Sequence, residues 1–142
     1  MERRDFIRLS ALGLSASVVA PAIALAEAEK HLKGAADIYY TKDNQGRWNG
    51  KAATHLPNID VEKVGNKTII KVVTAHEMKG YEHYIVKHVL LDQNYKFLQE
   101  HLFDPTKESA AISSFTLTDY SGPIFVASLC NKHDLWLNEA EV

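Results

Sequence analysis

The chain of 142 residues contains one cysteine, has no surplus of basic residues and has no long apolar run in its body, and each shortage removes a class of protein. A lone Cys130 cannot close an intramolecular disulfide, and it excludes every zinc or iron site built from four cysteines. Any chemistry at Cys130 therefore uses partners of another residue type. With 16 Lys+Arg against 18 Asp+Glu, a formal net charge of -2, the chain lacks the positive excess that neutralises phosphates, so nucleic acid is not an expected partner. Nor does the body of the chain hold the ~18 apolar residues of a membrane-spanning helix. Repeats and low-complexity tracts are missing too, and the length suits one globular core.

The first 26 residues read as an address. A charged head containing Arg3 and Arg4 is followed by a modestly apolar middle and a small-residue exit ending Ala24-Leu25-Ala26. Arg3-Arg4 with Phe6-Ile7 just behind resembles a twin-arginine export signal with an A-x-A cleavage site. The expectation is a signal helix over residues 1–26, cleaved on export to the periplasm, and a mature domain over 27–142 with no membrane partner. This route carries proteins already folded, which suits a cofactor loaded before release.

From Lys67 onward, short β-branched and aromatic runs cover residues 68–74, 84–91, 95–103, 112–118 and 123–129. Turn residues separate them at Asp92-Gln93-Asn94, Asp104-Pro105 and Ser121-Gly122-Pro123. The pattern predicts an all-β, immunoglobulin-like sandwich of about seven strands, with a hairpin at 91–95 and the other connections crossing between sheets. A closed barrel satisfies the same pattern. Residues 35–60 are rich in Asn, Gly, Lys and Asp, punctuated by Tyr39, Tyr40 and Trp48, and read as a long loop carrying a site.

Seven histidines exceed the needs of a core this size, and His55, His76, His83 and His133 fall at loop-like or strand-end positions. In Cys130-Asn131-Lys132-His133 a thiolate and an imidazole can face one metal from a single turn. His76 and His83 bracket a turn containing Gly80, which reads as a hairpin presenting both rings at one end of the sandwich. His55 stands before Leu56-Pro57, where proline favours an extended preceding residue, and can cap the same end. Four imidazoles and one thiolate suit a first-row transition metal with one position open; calcium and magnesium prefer oxygen.

His55-Leu-Pro-Asn-Ile, His76-x-Met78, Glu82-His83-Tyr-Ile and Cys130-Asn-x-His133 with Trp136, taken in order, resemble the superoxide reductases, also called the desulfoferrodoxin or neelaredoxin iron-binding domain. The likeness spans residues 55–136. It implies an immunoglobulin-like sandwich holding one non-haem iron, with His55, His76, His83 and His133 around it and Cys130 on the axis. It also implies superoxide as substrate, hydrogen peroxide as product, an external electron donor and a homo-oligomer. With a single cysteine the chain resembles the one-iron type.

The chain departs from that family's pattern at Ala53, Thr54, Glu77 and Asp134 and in one spacing. A glutamate and a lysine usually precede the first histidine, the lysine attracting superoxide; here those residues are Ala53 and Thr54, leaving Lys51, Lys79 or Lys132 to supply charge. His76 and His83 are seven apart rather than six, with Glu77 in place of a proline. Asp134 replaces the glycine after the last histidine, which places a carboxylate near the cation.

Two other readings compete. A cupredoxin-like copper carrier uses His, Cys and His with a weak axial Met, yet no methionine follows His133. A metal-binding or electron-carrier sandwich without fast superoxide chemistry fits the loss of the Glu-Lys pair. Outside the proposed ligands, His88 and His101 read as surface or partly buried strand residues and His31 as solvated. Tyr84 and Trp136 read as walls of the metal pocket, and Met78 as packing in the His76–His83 hairpin.

Overall fold

The computed structural model describes residues 37–142, so the export signal expected over 1–26 lies outside the described residues. Seven strands form: β1 (Asn58–Val64), β2 (Lys67–Glu77), β3 (Ile85–Leu91), β4 (Phe97–Leu102), β5 (Ala110–Thr118), β6 (Pro123–Cys130) and β7 (Asp134–Glu141). One short helix, α1 (Ala52–His55), and single 3-10 turns at Gly46–Trp48 and Gly80–Glu82 complete the described elements.

The strands pair antiparallel in two sheets ordered β1-β2-β5 and β4-β3-β6-β7. Between β2 and β3, β4 and β5, and β5 and β6 the chain passes from one sheet to the other, which is the immunoglobulin-like arrangement. Strict alternation drives this packing. On β2, Ile70, Val72, Thr74 and His76 are buried while Lys67, Lys71, Ala75 and Glu77 are exposed; on β5, Ala111, Ser113, Phe115 and Leu117 point inward. A hairpin does join β3 to β4: the Asp92 carboxylate accepts the Asn94 and Lys96 N–H groups, and Tyr95 takes a left-handed φ of 61°. That turn delays β4 by two residues relative to the run at 95–103.

Two strands lie beyond the runs read from the sequence. β1 takes residues 58–60 out of the predicted loop; as an edge strand it buries neither face fully, so its apolar pattern is faint. β7 is interrupted by Asn138, Glu139 and Glu141 but buries Trp136 and Leu137.

The interior has two apolar parts. Ile70, Val72, Leu90, Phe115, Leu117, Ile124 and Val126 fill one end, and Ile85, Phe103, Ala111 and Cys130, with Met78 against them, fill the other. Inward positions between these parts are polar. His88, expected at the surface or only partly buried, is completely enclosed, with Nε2 2.8 Å from Thr74 Oγ1 and Nδ1 2.7 Å from Ser113 Oγ. Thr74 Oγ1 also lies 2.9 Å from Ser128 Oγ. A bulge between Ile85 and Lys87 explains the difference: it inserts one residue against β6 and changes which parity of β3 faces the core. An unmade bond at such a buried group costs about 1–3 kcal/mol, more than a made one gains, and every buried side-chain nitrogen and oxygen among the described residues has a partner. His101 is half-buried, as expected, and pairs with Glu108 at 2.8 Å.

Burial, and more weakly the charge of His101, lowers the His88 pKa to about 4. An unfolded histidine titrates near 6.5, so between about 6.5 and 4 the unfolded chain binds a proton that the folded chain refuses. Stability of the metal-free protein should therefore fall as pH is lowered through that window. Urea midpoints measured from pH 7 to pH 4 should show the loss, with a shallower slope for His88→Leu.

Candidate metal centre

Each of the histidines proposed as ligands is delivered by a local device. Leu56 is extended (φ -67°, ψ 128°) before Pro57, so α1 stops after one turn and His55, its last residue, turns inward with 3% exposure. At the end of β2, the pairing with β5 shifts between Thr74 and Glu77, a bulge that re-aims His76. His83 follows the Gly80–Glu82 turn, where Gly80 takes φ +52° and Lys79 bridges to His83. Cys130 ends β6, and His133 precedes β7. The connection from His76 to His83 is not a hairpin as expected, because β2 and β3 belong to different sheets; it is a crossover at the same end of the sandwich. Seven-residue spacing is accommodated there by the bulge and the turn.

The structure brings all five residues together, with one donor atom of each within 4.8 Å of all the others. Nε2 of His55 lies 3.0 Å from Nδ1 of His133, that atom 3.2 Å from Nε2 of His83, and the latter 3.1 Å from Nε2 of His76. His55 and His76 close the ring edge-on, with centroids 4.7 Å apart. Metal–nitrogen bonds of about 2.1 Å at right angles would hold neighbouring nitrogens about 3.0 Å apart, the spacing of these three contacts. Cys130 Sγ is 3.8 Å from His76 Nε2 and 3.6 Å from His133 Nδ1.

Hydrogen bonding alone does not account for this ring. His76 Nδ1 lies against the Glu77 carbonyl and His55 Nδ1 is 3.1 Å from the Lys51 carbonyl, so in each neutral ring the one N–H is spent there and Nε2 is a bare lone pair. Burial lowers the pKa of His55 to about 4, and burial likewise lowers those of His76 and His133. Imidazole nitrogens that converge on one point suit a cation, and the nitrogen–sulfur set suits a mononuclear iron site.

Neighbouring side chains hold the donors in place. Trp136 is fully buried 5.8 Å from the His55 ring, and its Nε1 donates to the His133 carbonyl at 3.0 Å, in keeping with its expected role as a wall. Tyr84 instead packs edge-on against Tyr81 at 5.5 Å. Asn131, the second residue of the Cys-Asn-x-His motif, ties two turns together: its Oδ1 accepts the Tyr84 N–H and its Nδ2 donates to the Tyr81 and Glu82 carbonyls, joining the turn before His83 to the turn before His133. Met78 packs, as expected of it, but against the cluster of Ile85, Phe103, Ala111 and Cys130 and not within a hairpin.

Trp48, Arg47 and Tyr40 are the residues missed. Trp48 stands edge-on to His133 at 4.7 Å and donates Nε1 to Asp134 Oδ2 at 2.9 Å. Arg47 lies over the Trp48 ring, pairs with Asp134 and donates Nε to Tyr40 Oη, while Tyr40 packs on Trp136. Asp134 adopts φ 61°, a conformation glycine enters freely and aspartate tolerates. Its carboxylate is held by Trp48 and Arg47 and is not among the five clustered donors. Of the three lysines considered, Lys51 acts electrostatically on both His55 and His133, whereas Lys79 pairs with exposed Glu77 at 3.1 Å and Lys132 is exposed.

A β-sandwich carrying four histidines and a cysteine at one end defines a class of mononuclear metal protein. The chain belongs to the desulfoferrodoxin family, whose model matches residues 47–139. Among solved structures it is similar to the superoxide reductase (neelaredoxin) from Ignicoccus hospitalis, at 26% identity and a TM-score of 0.61, covering 74% of this chain and 94% of that one. A variant of the same protein matches at 27% identity and a TM-score of 0.64, covering 74% and 93%. The superoxide reductase from Nanoarchaeum equitans, at 20% identity, a TM-score of 0.56 and coverage of 63% and 94%, supports the fold alone. No curated protein matches the chain.

Cys130→Ser should remove the thiolate–iron absorption and lower iron retention by about 10-fold or more after dialysis against a chelator, while leaving the far-ultraviolet circular dichroism of the sandwich intact. Iron per chain, measured by mass spectrometry of metals, checks this.

Proposed function

We propose that the protein is a superoxide reductase whose iron ligands are His55, His76, His83, His133 and Cys130. The observation that carries this reading is the convergence of four imidazole nitrogens and the Cys130 sulfur within 4.8 Å of one another. Its support is the family, together with solved relatives that are superoxide reductases. Held by these residues, iron would supply one-electron chemistry, by which superoxide with one electron and two protons becomes hydrogen peroxide and an external donor restores the electron.

The chain's own residues prepare for this. Carbonyls of Lys51 and Glu77 fix the ring tautomers and leave the inward nitrogens basic. Burial keeps His55 neutral above about pH 4, so no proton competes for its nitrogen at neutral pH. A cysteine binds metal as thiolate, an electron-rich ligand that favours transfer outward to substrate. Exposed Ala53 and Thr54 provide no charge, and Thr54 Oγ1 lies 2.8 Å from His55 Nδ1. Lys51, whose charge reaches His55 and His133, takes over attraction of the anion.

Pulsed generation of superoxide against the reduced protein tests the proposal. The second-order rate should far exceed that of free aqueous ferrous iron. Lys51→Met should lower it by roughly 3- to 10-fold at low salt and flatten its salt dependence, and Thr54→Lys should raise it, with a smaller gain when salt screens the charge. A rate no better than free iron rejects the reductase and favours the second reading, a metal-binding or electron-carrying sandwich, for which the absence of charge at Ala53 and Thr54 speaks.

The Arg3-Arg4 segment supports action in the periplasm. Cell fractionation should find the protein there, and Arg3→Lys with Arg4→Lys should retain it in the cytoplasm.

A further inference from the structure

The inward positions directly behind two of the proposed ligands are occupied by side-chain hydrogen bonds. Thr74 precedes His76 by two residues on β2, Ser128 precedes Cys130 by two on β6, and both pairs are buried, so within each pair the side chains share one face. His88 of β3 pairs in register with Ser128, and its ring reaches across to Thr74 of β2 and Ser113 of β5. Thr74 reaches Ser128 in turn. Two residues from one sheet and two from the other are thereby bonded together, with the Phe103 ring edge-on to His88 at 4.9 Å closing the side.

Position along the strands gives this quartet its meaning. Both bulges begin beside it: β2 leaves its register with β5 after Thr74, and β3 shifts against β6 between Lys87 and Ile85. Thr74, Ser128 and His88 are therefore on or next to the last regular rungs before the chain bends to aim its donors. Apolar contact between sheets is non-directional and tolerates sliding, whereas hydrogen bonds of 2.7–2.9 Å fix both distance and angle. His76 comes from one sheet and Cys130 from the other, so the offset between the sheets at this level sets where the sulfur stands relative to the imidazoles.

We propose that His88, Thr74, Ser113 and Ser128 form a positioning network that holds the Cys130 sulfur in register with His76. His88 is central because one neutral ring can donate at one nitrogen and accept at the other. With Nδ1–H donating to Ser113, Nε2 accepts from Thr74, which accepts from Ser128; the opposite tautomer reverses every bond and satisfies the same four groups. A leucine or valine in this layer would fill the space and leave the sheet offset to packing alone.

The inference rests on the iron–thiolate centre, so the experiment begins with the wild-type protein loaded with ferric iron. If that protein shows no one-to-one iron binding and no thiolate-to-iron absorption band, the reading of the centre has failed before the network is tested. Given the band, Thr74→Val and His88→Leu should displace or broaden it and weaken iron affinity by about 10-fold, as loss of groups supporting metal ligands does. Ile70→Ala, placed in the apolar cluster at the other end, lowers stability without touching the network and should leave both readouts at wild-type values. If His88→Leu does not fold, the near-isosteric Thr74→Val decides alone. Wild-type band and affinity in the network variants, or an equal change in Ile70→Ala, would overturn the proposal.

Discussion

Four imidazole nitrogens and one sulfur, the donor set of a transition metal, are crowded within 4.8 Å of one another. The rest of this end of the molecule can be understood as the means of enforcing that crowding. Two backbone carbonyls take up ring protons, Asn131 laces two turns together, and the Trp48–Asp134–Arg47 contacts brace His133 from the solvent side. None of these groups is large in energy alone. Their directions agree, which is what keeps several lone pairs pointed at one spot.

The donors were legible in the sequence because each is a reactive residue type standing in a short local motif. The strand runs from residue 67 onward were legible for a related reason, since β2 and β5 alternate almost perfectly. What escaped was set by register and long-range contact. β1 is an edge with a faint pattern, β7 hides Trp136 among acidic and amide residues, and a single bulge in β3 turned His88 from an apparent surface residue into a core one. Trp48 was visible only as punctuation in a loop, because its partner Asp134 is 86 positions away.

The departures from the family pattern now have physical settings. Asp134 occupies a left-handed position and supplies a carboxylate that a glycine would not, and that carboxylate anchors Trp48 and Arg47 beside His133. Lys51, four residues before His55, stands one helical turn from that proposed ligand and also contributes the carbonyl facing its Nδ1.

Because the donors arrive from α1, from both sheets and from two turns, an ion among them rivets together pieces of chain that are distant in sequence. Occupancy then enters the folding equilibrium by mass action: free metal at a hundred times its dissociation constant adds about 2.7 kcal/mol to the native state. Iron supply would thereby govern how long each molecule survives proteolysis, so scarcity of the metal would thin the population of the protein as well as leave it idle.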